Sequence, residues 1–471
     1  MTTLFLQPND VLFFRDGRPM SGGLAGHGAA WPLPTVTNAA LHAALWRAGL
    51  ADVSHLHRPG RNGKPLTSER TRRFGSLISA GPFPVRRAEG ASDAWMLPRP
   101  SDAQEPGANA ITLQPARVDR SCGEWSSSLP AFLAYAVANT REPAKKKLEA
   151  WWSLRAFQGY LRPNAGAAMD HKKDFLHDTD ILLAEATVGI GMDAATGAQD
   201  GERIYSAHYL RLREEWLLGL FAQCDDKKGG DLLTNLFQQG KHIMVGGQQR
   251  LCSVEKGGLS GSLPLPLGHT DFVAGPDGKC RVKWILLSPA VWPSIAAKDS
   301  QGASLLDRRQ QPIRSHGGGW LPNWVADHED SLNSRRVAAG AVLLMDGAGL
   351  GKASRKAIQA GQPIQARLVA AAVPKAIPVT GYALPHEDTG DAGGPKPLHL
   401  AVPAGAVFYF ETEGADAARK LAVALNWHGD TAGRAIKNRR STLFGEKGFG
   451  LGVCGTWTPI PALPDSAKAY I

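Results

Sequence analysis

The chain has 471 residues, 43% hydrophobic and 20% charged, with 53 Gly, 32 Pro and a formal net charge of +10, which leaves room for two or three domains with substantial cores and suits, without requiring, a polyanionic partner. Its five cysteines, Cys122, Cys224, Cys252, Cys280 and Cys454, form no C-x-x-C pair, which argues against a zinc ribbon and fits a reduced cytosol. No basic stretch leads an apolar core near Met1 and no apolar run reaches eighteen residues, so neither a signal peptide nor a membrane span is expected, and the expected location is cytoplasmic with no membrane partner.

Leu4 to Phe14 reads as a strand broken once at Pro8, ending in the turn Arg15-Asp16-Gly17-Arg18-Pro19. Arg15 and Arg18 at a strand end can grip a phosphate, or Asp16 can neutralise one of them. A Gly/Ala stretch, 21–30, carries His27. Apolar i, i+4 spacing at Ala40, Leu41, Ala44, Leu45 and Ala48 predicts a helix from Thr35 to Ala48, capped by Thr35 or Thr37 and ended by Gly49. Strand, loop and helix are the opening of a βαββαβ, ferredoxin-like unit.

His55 to Ala88 holds eight cations against the single acid Glu69, either a solvated face or a surface facing RNA. Leu77 to Val85 and Ala94 to Leu97 read as hairpin strands. Pro130 to Tyr160 reads as mainly helical, interrupted at Pro143, with Trp151-Trp152 packed in a core. Thr187 to Gly191 and Arg203 to Arg213 form a hairpin about a polar tip. His242 to Arg250 reads as a strand into the turn Gly246-Gly247-Gln248-Gln249.

A Gly/Ser/Pro-rich stretch, 256–270, is the expected boundary between domains 1–258 and 271–471. Arg281 to Ser288 opens the second as a strand. Gly340 to Asp346 reads as a strand leading into Gly347-Ala-Gly-Leu-Gly-Lys352. That run misses a phosphate-binding P-loop, because Asp346 and Ala353 stand where Gly and Ser or Thr are needed, and a nucleotide hydrolase is set aside. Ala366 to Val373 and Leu398 to Phe410 read as paired strands, Ala415 to Asn426 as a helix.

Five glycines then fall within residues 445–455, with Lys447 and Phe449 among them and Arg434, Lys437, Arg439 and Arg440 just upstream. Gly450-x-Gly452-x-x-Gly455 matches a dinucleotide fingerprint, but Pro459, Pro461 and Pro464 occupy the place of its helix. Two readings of this loop stay open: a hairpin or bulge without a ligand, and a loop whose amides and cations follow a phosphate backbone.

Taken in order, the Phe14-Arg-Asp-Gly-Arg-Pro19 turn, the Val188-Gly-Ile190 to Leu210-Arg-Leu212 segment, Val245-Gly-Gly-Gln-Gln-Arg250, Ala401 to Phe410 and the glycine-rich loop resemble the RAMP superfamily of CRISPR proteins. More closely they resemble the third-subunit family of the type III-B (Cmr) effector complex. Met20 departs from the aromatic usual after that first turn. The resemblance implies an α+β chain of two ferredoxin-like, RRM-like RAMP domains with insertions and a C-terminal glycine-rich loop. It implies a non-catalytic subunit, without cofactor, that binds the 5′ tag of crRNA. Its partners are the large Palm-domain subunit and the backbone RAMP subunits, with target RNA met indirectly, and a protruding hairpin kinks the RNA. Arg15, Arg18, Arg250, Lys447, Gly448, Phe449 and Gly450 are the contacts carried over by motif; Arg439 and Arg440 are added from local charge.

Two rivals remain. Other RAMP proteins cut crRNA precursors by metal-independent acid–base chemistry, for which His27 is the candidate, either as that base or as an RNA contact. The other is an assembly scaffold whose glycine-rich loop meets protein. Neither H-E-x-x-H nor clustered Cys/His ligands occur, so no metal is expected.

Overall fold

A computed structural model describes the chain except for residues 16, 18–23, 26–28, 51–76, 88–91, 106–110, 119–129, 139–146, 163–168, 193–194, 226–229, 239–240, 259–260, 333–334, 351–361, 384–393 and 461–471. Most of the basic run 55–88 therefore lies outside the described residues. The first half begins with β1 (Thr2–Pro8), α1 (Pro34–Arg47) and β2 (Ile78–Arg86). An insertion follows, with β3 (Ala94–Pro98), β4 (Trp151–Ser153), α2 (Leu154–Leu161), β5 (Phe175–Leu176) and the long hairpin of β6 (Leu182–Met192) and β7 (Gln199–Leu212). The half closes with β8 (Trp216–Gln223), α3 (Leu232–Leu236), β9 (Lys241–Met244) and β10 (Leu251–Lys256). The second half supplies β11 (Lys279–Leu286), β12 (Ala366–Ala372), β13 (Val407–Glu413), α4 (Gly414–Leu425) and β14 (Gly452–Thr456).

The first sheet runs β5-β4-β3-β2-β8-β1-β10-β9 and the second β12-β13-β11-β14. Counted by chain order, the four central strands of the first (β2-β8-β1-β10) and all four of the second follow the same order, 2-3-1-4. Every pairing among them is antiparallel. A helix connects strands one and two and strands three and four in the first half. Among the described residues the second half shows only the later helix, α4.

Alternation along the strands explains how the halves join, because successive side chains point to opposite faces. On β1, Leu4 and Leu6 face α1 and α3, while Phe5 faces the other way. On β13, Phe408 and Phe410 pack with Leu421 and Leu425 of α4, while Val407 and Tyr409 face away from it. The away-facing rows meet: Phe5, Phe83 and Phe221 share one hydrophobic cluster with Ile285, Tyr409 and Val453. Two sheets thus face each other across a common core, each with helices behind it.

Four expectations change. The segment Pro130 to Tyr160 is not mainly helical. Tyr135–Ala138 is a strand, Trp151 and Trp152 pair with Pro98 and Leu97 on one side and with Leu176 and Phe175 on the other, and among the described residues helix begins only at Leu154. Ser153 sets that start, its hydroxyl accepting from the Ala156 amide. Gly340 to Asp346 makes isolated bridges rather than a strand. Leu398 to Phe410 divides at Gly405, whose φ of +87° turns the chain; His399–Ala401 pairs with Ile377–Val379, and only β13 pairs with β12. In α1 the cap position is Leu33 with Pro34 first in the helix, and no side chain caps it.

Candidate nucleic-acid interface

The hairpin β6–β7 stands out from the body. Val188, Ile190 and Met192 are all exposed, Val188 at 73%. Its root is tied down by Leu12–Phe13, which pairs with β7 at Leu210 and Tyr209, and by Leu24–Ala25 beside Tyr205 and Ser206. The rings of Phe13 and Tyr209 lie 5.6 Å apart.

Against this root sits the β9–β10 turn. Gly246 has φ +79°, and a Cβ there would meet the Phe13 carbonyl oxygen at 2.5 Å, so the turn requires glycine. The Gly247 amide donates to that same oxygen at 2.9 Å. Gln248 and Gln249 both adopt left-handed φ, 56° and 53°, at a cost of about 1–2 kcal/mol each. Both side chains are exposed at the tip. Tyr209 donates its hydroxyl proton to Gln248 Oε1 at 2.9 Å, and Arg250 Nη2 donates to the same oxygen at 3.3 Å. The Arg250 guanidinium lies 5.1 Å from the Tyr209 ring centre and 3.6 Å from Asp10, while its Nε is buried without a partner. Arg211 also binds Asp10, at 2.8 Å, and Glu185. Arg15, exposed, follows Phe13 by two residues. Arg18 and His27 lie outside the described residues.

The outcome is a partly exposed aromatic ring, an amide pair and a cluster of guanidinium groups on one surface. Tyr209, Gln248, Gln249 and Arg211 were not singled out by sequence. The signal available was Gly-Gly-Gln-Gln-Arg250 itself, with two polar residues held behind two glycines.

The C-terminal glycine-rich loop lies elsewhere and does something different. Phe449 is fully buried with Phe444, Val291, Val379 and Ala401, and Leu33 ahead of α1 packs on them. Gly448, at φ +97°, would set a Cβ 2.8 Å from the Ser79 carbonyl oxygen of β2. Gly450, at φ +75°, would set one 2.1 Å from the Ser441 nitrogen. Lys447 is buried, its ammonium 4.9 Å from the Phe444 ring centre. The expectation that Lys447 and Phe449 present themselves to RNA is therefore corrected: this loop is packed where the two halves meet, and its glycines allow that approach.

The two arginines ahead of it are also engaged inward. Arg440 donates through Nε to the Ala424 carbonyl at 2.7 Å and through Nη2 to Asn438 at 3.2 Å, which satisfies an unpaired carbonyl in the last turn of α4. Arg439 buries Nε and Nη2 with no hydrogen-bond partner. Burial lowers its pKa to about 10 against the opposing pull of Glu446. At neutral pH it stays charged.

Among the described residues no group of three or more His, Cys, Asp or Glu is arranged to hold a metal ion, and no helix is long and apolar enough to cross a membrane. The family profile described as CRISPR-associated protein (Cas_Cmr3) matches residues 4–457. No curated protein matches the chain. Among solved structures, a chain of the type III-B Cmr-beta complex bound to cognate target RNA is similar at 13% identity, with 86% of each chain covered and a TM-score of 0.34. A chain of the Csm3–Csm4 subcomplex of the type III-A CRISPR-Cas interference complex is similar at 10% identity, with 88% of this chain and 97% of that chain covered and a TM-score of 0.32.

Proposed function

The chain belongs to the Cas_Cmr3 family of CRISPR-associated proteins, and on that premise we propose that it is a non-catalytic subunit of a type III-B effector complex that holds the 5′ repeat-derived tag of the crRNA. The observation that carries this reading is the Tyr209–Gln248–Arg250 cluster at the root of the projecting hairpin. Single-stranded RNA of fixed sequence is read by stacking on aromatic or guanidinium planes and by hydrogen bonds to base edges and 2′-OH groups, while cations hold its phosphates. Tyr209 and Arg250 supply planes, Gln248 and Gln249 supply donors and acceptors, and Arg15 supplies charge.

The hairpin β6–β7, with Val188, Ile190 and Met192 exposed, is the element we assign to bending the RNA beyond the tag. Each half is read as a ferredoxin-like RAMP unit, supported by the 2-3-1-4 antiparallel order found twice. In the second unit, the first crossover is a long segment without a helix among its described residues. The partners proposed are the large Palm-domain subunit and the backbone RAMP subunits, in the cytoplasm, with target RNA met through the crRNA.

The test is RNA binding by the purified chain, alone and with its large partner, using crRNA with the tag intact or scrambled, followed by product analysis on a gel. Tag-dependent, salt-sensitive binding of intact RNA is expected. Specific cleavage, or no tag preference even with the partner present, refutes the proposal.

A further inference from the structure

A cavity of about 360 Å³ opens in the second half, and none of its lining residues belongs to the Arg250 cluster. Asp346, Gly347 and Gly349 form one wall, and Lys437, Arg439 and Arg440 the other. The first wall is the glycine-rich turn that fails the P-loop spacing. Gly347 and Gly349 have φ +81° and +85°, and the turn is closed by the Ala348 and Leu350 amides donating to the carbonyls of Met345 (3.1 Å) and Gly347 (3.2 Å). Gly349 lies so close to α4 that a Cβ would meet the Val423 carbonyl oxygen at 2.2 Å, which holds the turn against that helix. The amides of Gly347 and Gly349 donate to nothing among the described residues. Lys420 pairs with Asp346 at 3.0 Å and so offsets the carboxylate in this wall.

On the second wall Lys437 is exposed, and Arg439 buries two guanidinium nitrogens that no acceptor satisfies. Buried donors without partners are rare and costly, most of all when charged. The Gly347 and Gly349 amides, without acceptors among the described residues, stand with the Lys437 ammonium and the charged Arg439 side chain that lines the cavity, a lining that calls for a ligand that is anionic and rich in acceptors.

We propose that this cavity is a phosphate-binding site, with Arg439 and Lys437 as its cationic ligands and the Gly347–Gly349 turn as its amide wall. The phosphate belongs either to a free mononucleotide or to an RNA strand. The site stands apart from the tag reading and does not depend on it.

The experiment is calorimetric titration of the full chain with AMP, and with a short RNA carrying a 5′-phosphate or a 5′-hydroxyl, repeated for Lys437→Gln, Arg439→Gln and the control Lys298→Gln. Lys437→Gln and Arg439→Gln are each expected to weaken binding about tenfold or more, with AMP binding by Lys298→Gln, an exposed cation outside both sites, unchanged. Thermal melting checks the fold, and Arg439→Gln is expected to raise the melting temperature by removing an unsatisfied buried charge. AMP binding assigns a free nucleotide; binding of the 5′-phosphorylated RNA alone assigns an RNA end, and equal binding of both RNAs a backbone phosphate. The proposal is overturned if no probe binds at millimolar concentration, or if both Lys437→Gln and Arg439→Gln bind as the parent does. Failure here with tag binding intact leaves the tag reading standing.

Discussion

The carboxylate of Asp102 and the ammonium of Lys283, 181 positions apart in sequence, lie 3.5 Å apart in the core shared by the two sheets, with side chains 1% and 7% exposed. Tyr160 and Tyr409 donate their hydroxyl protons to the same carboxylate at 2.6 and 2.9 Å, and the ammonium sits 3.7 Å from the Tyr160 ring centre. Burial pushes the Lys283 pKa down and those of both tyrosines up. Asp102 and Tyr160 come from the first half, Lys283 and Tyr409 from the second. The network therefore fixes how the halves face each other.

Removing one partner of such a pair leaves a buried charge without compensation. Asp102→Ala is expected to cost about 3–5 kcal/mol in urea unfolding. Adding Lys283→Met to an Asp102→Leu background is expected to recover part of that loss, because the stranded ammonium is gone. Additive losses in the double variant count against the pairing.

Packing, rather than RNA contact, accounts for the glycine-rich loop. Gly448→Ala places a Cβ against the Ser79 carbonyl from a left-handed φ and is expected to cost about 1–3 kcal/mol. Gly445→Ala, whose new Cβ would have its nearest neighbour at 3.5 Å, is the tolerated control. Phe449→Ala empties a fully buried site and is expected to cost about 3–5 kcal/mol, with the RNA affinity of the folded fraction unchanged. A large loss of affinity in a fully folded Phe449→Ala protein would restore the stacking role.

At the hairpin root, charge and stacking separate by their salt dependence. Arg250→Ala is expected to weaken tag RNA binding and to reduce the slope of log affinity against log salt by about 0.7. Tyr209→Ala is expected to weaken binding by about 1–3 kcal/mol and leave the slope in place. Filter binding at three salt concentrations reads both, and equal slopes for Arg250→Ala and the parent would remove Arg250 from the phosphate contacts.

Acid stability has a defined source in the insertion. Burial raises the Asp174 pKa, but hydrogen bonds from Arg155, Ser153 and the Asp170 amide outweigh it and hold the carboxyl below 3.8. Ser153 Oγ donates at 2.6 Å and the Asp170 amide at 2.8 Å. Because the folded-state value is depressed, the unfolded chain takes up the proton first as pH falls. The contribution is whole above the unfolded value and lost as pH falls through the folded one. Asp174→Asn is expected to lower stability at pH 7 and to flatten its dependence on pH below 4, measured by urea unfolding across that range. A parallel pH profile in the variant assigns acid sensitivity to other groups.

Local pattern alone made several elements legible. The alternation in β1, β11 and the β6–β7 hairpin, the i, i+4 spacing of α1, and the succession of β13, α4 and β14 can be read from periodicity and turn residues, as can the ordered motifs that point to the family. Nearest-neighbour chemistry encodes these directly. It did not encode Trp151 and Trp152 as a strand, because their strand form depends on edges supplied by β3 and β5, one some fifty residues before and one some twenty after.

The site followed the same division. Arg250 and its two glycines were visible in sequence, but Tyr209, Gln248 and Asp10 join it only because β7, the β9–β10 turn and the end of β1 converge on Phe13. Glycine and charge in residues 434–450 read equally as an exposed RNA loop or an internal joint. Period and composition say which residues share a face; they do not say whether another surface covers that face. Here the covering surface is β2 and the start of α1, in the other half of the molecule. Its contact with Gly448 and Phe449 turned a candidate RNA loop into the joint between the two sheets.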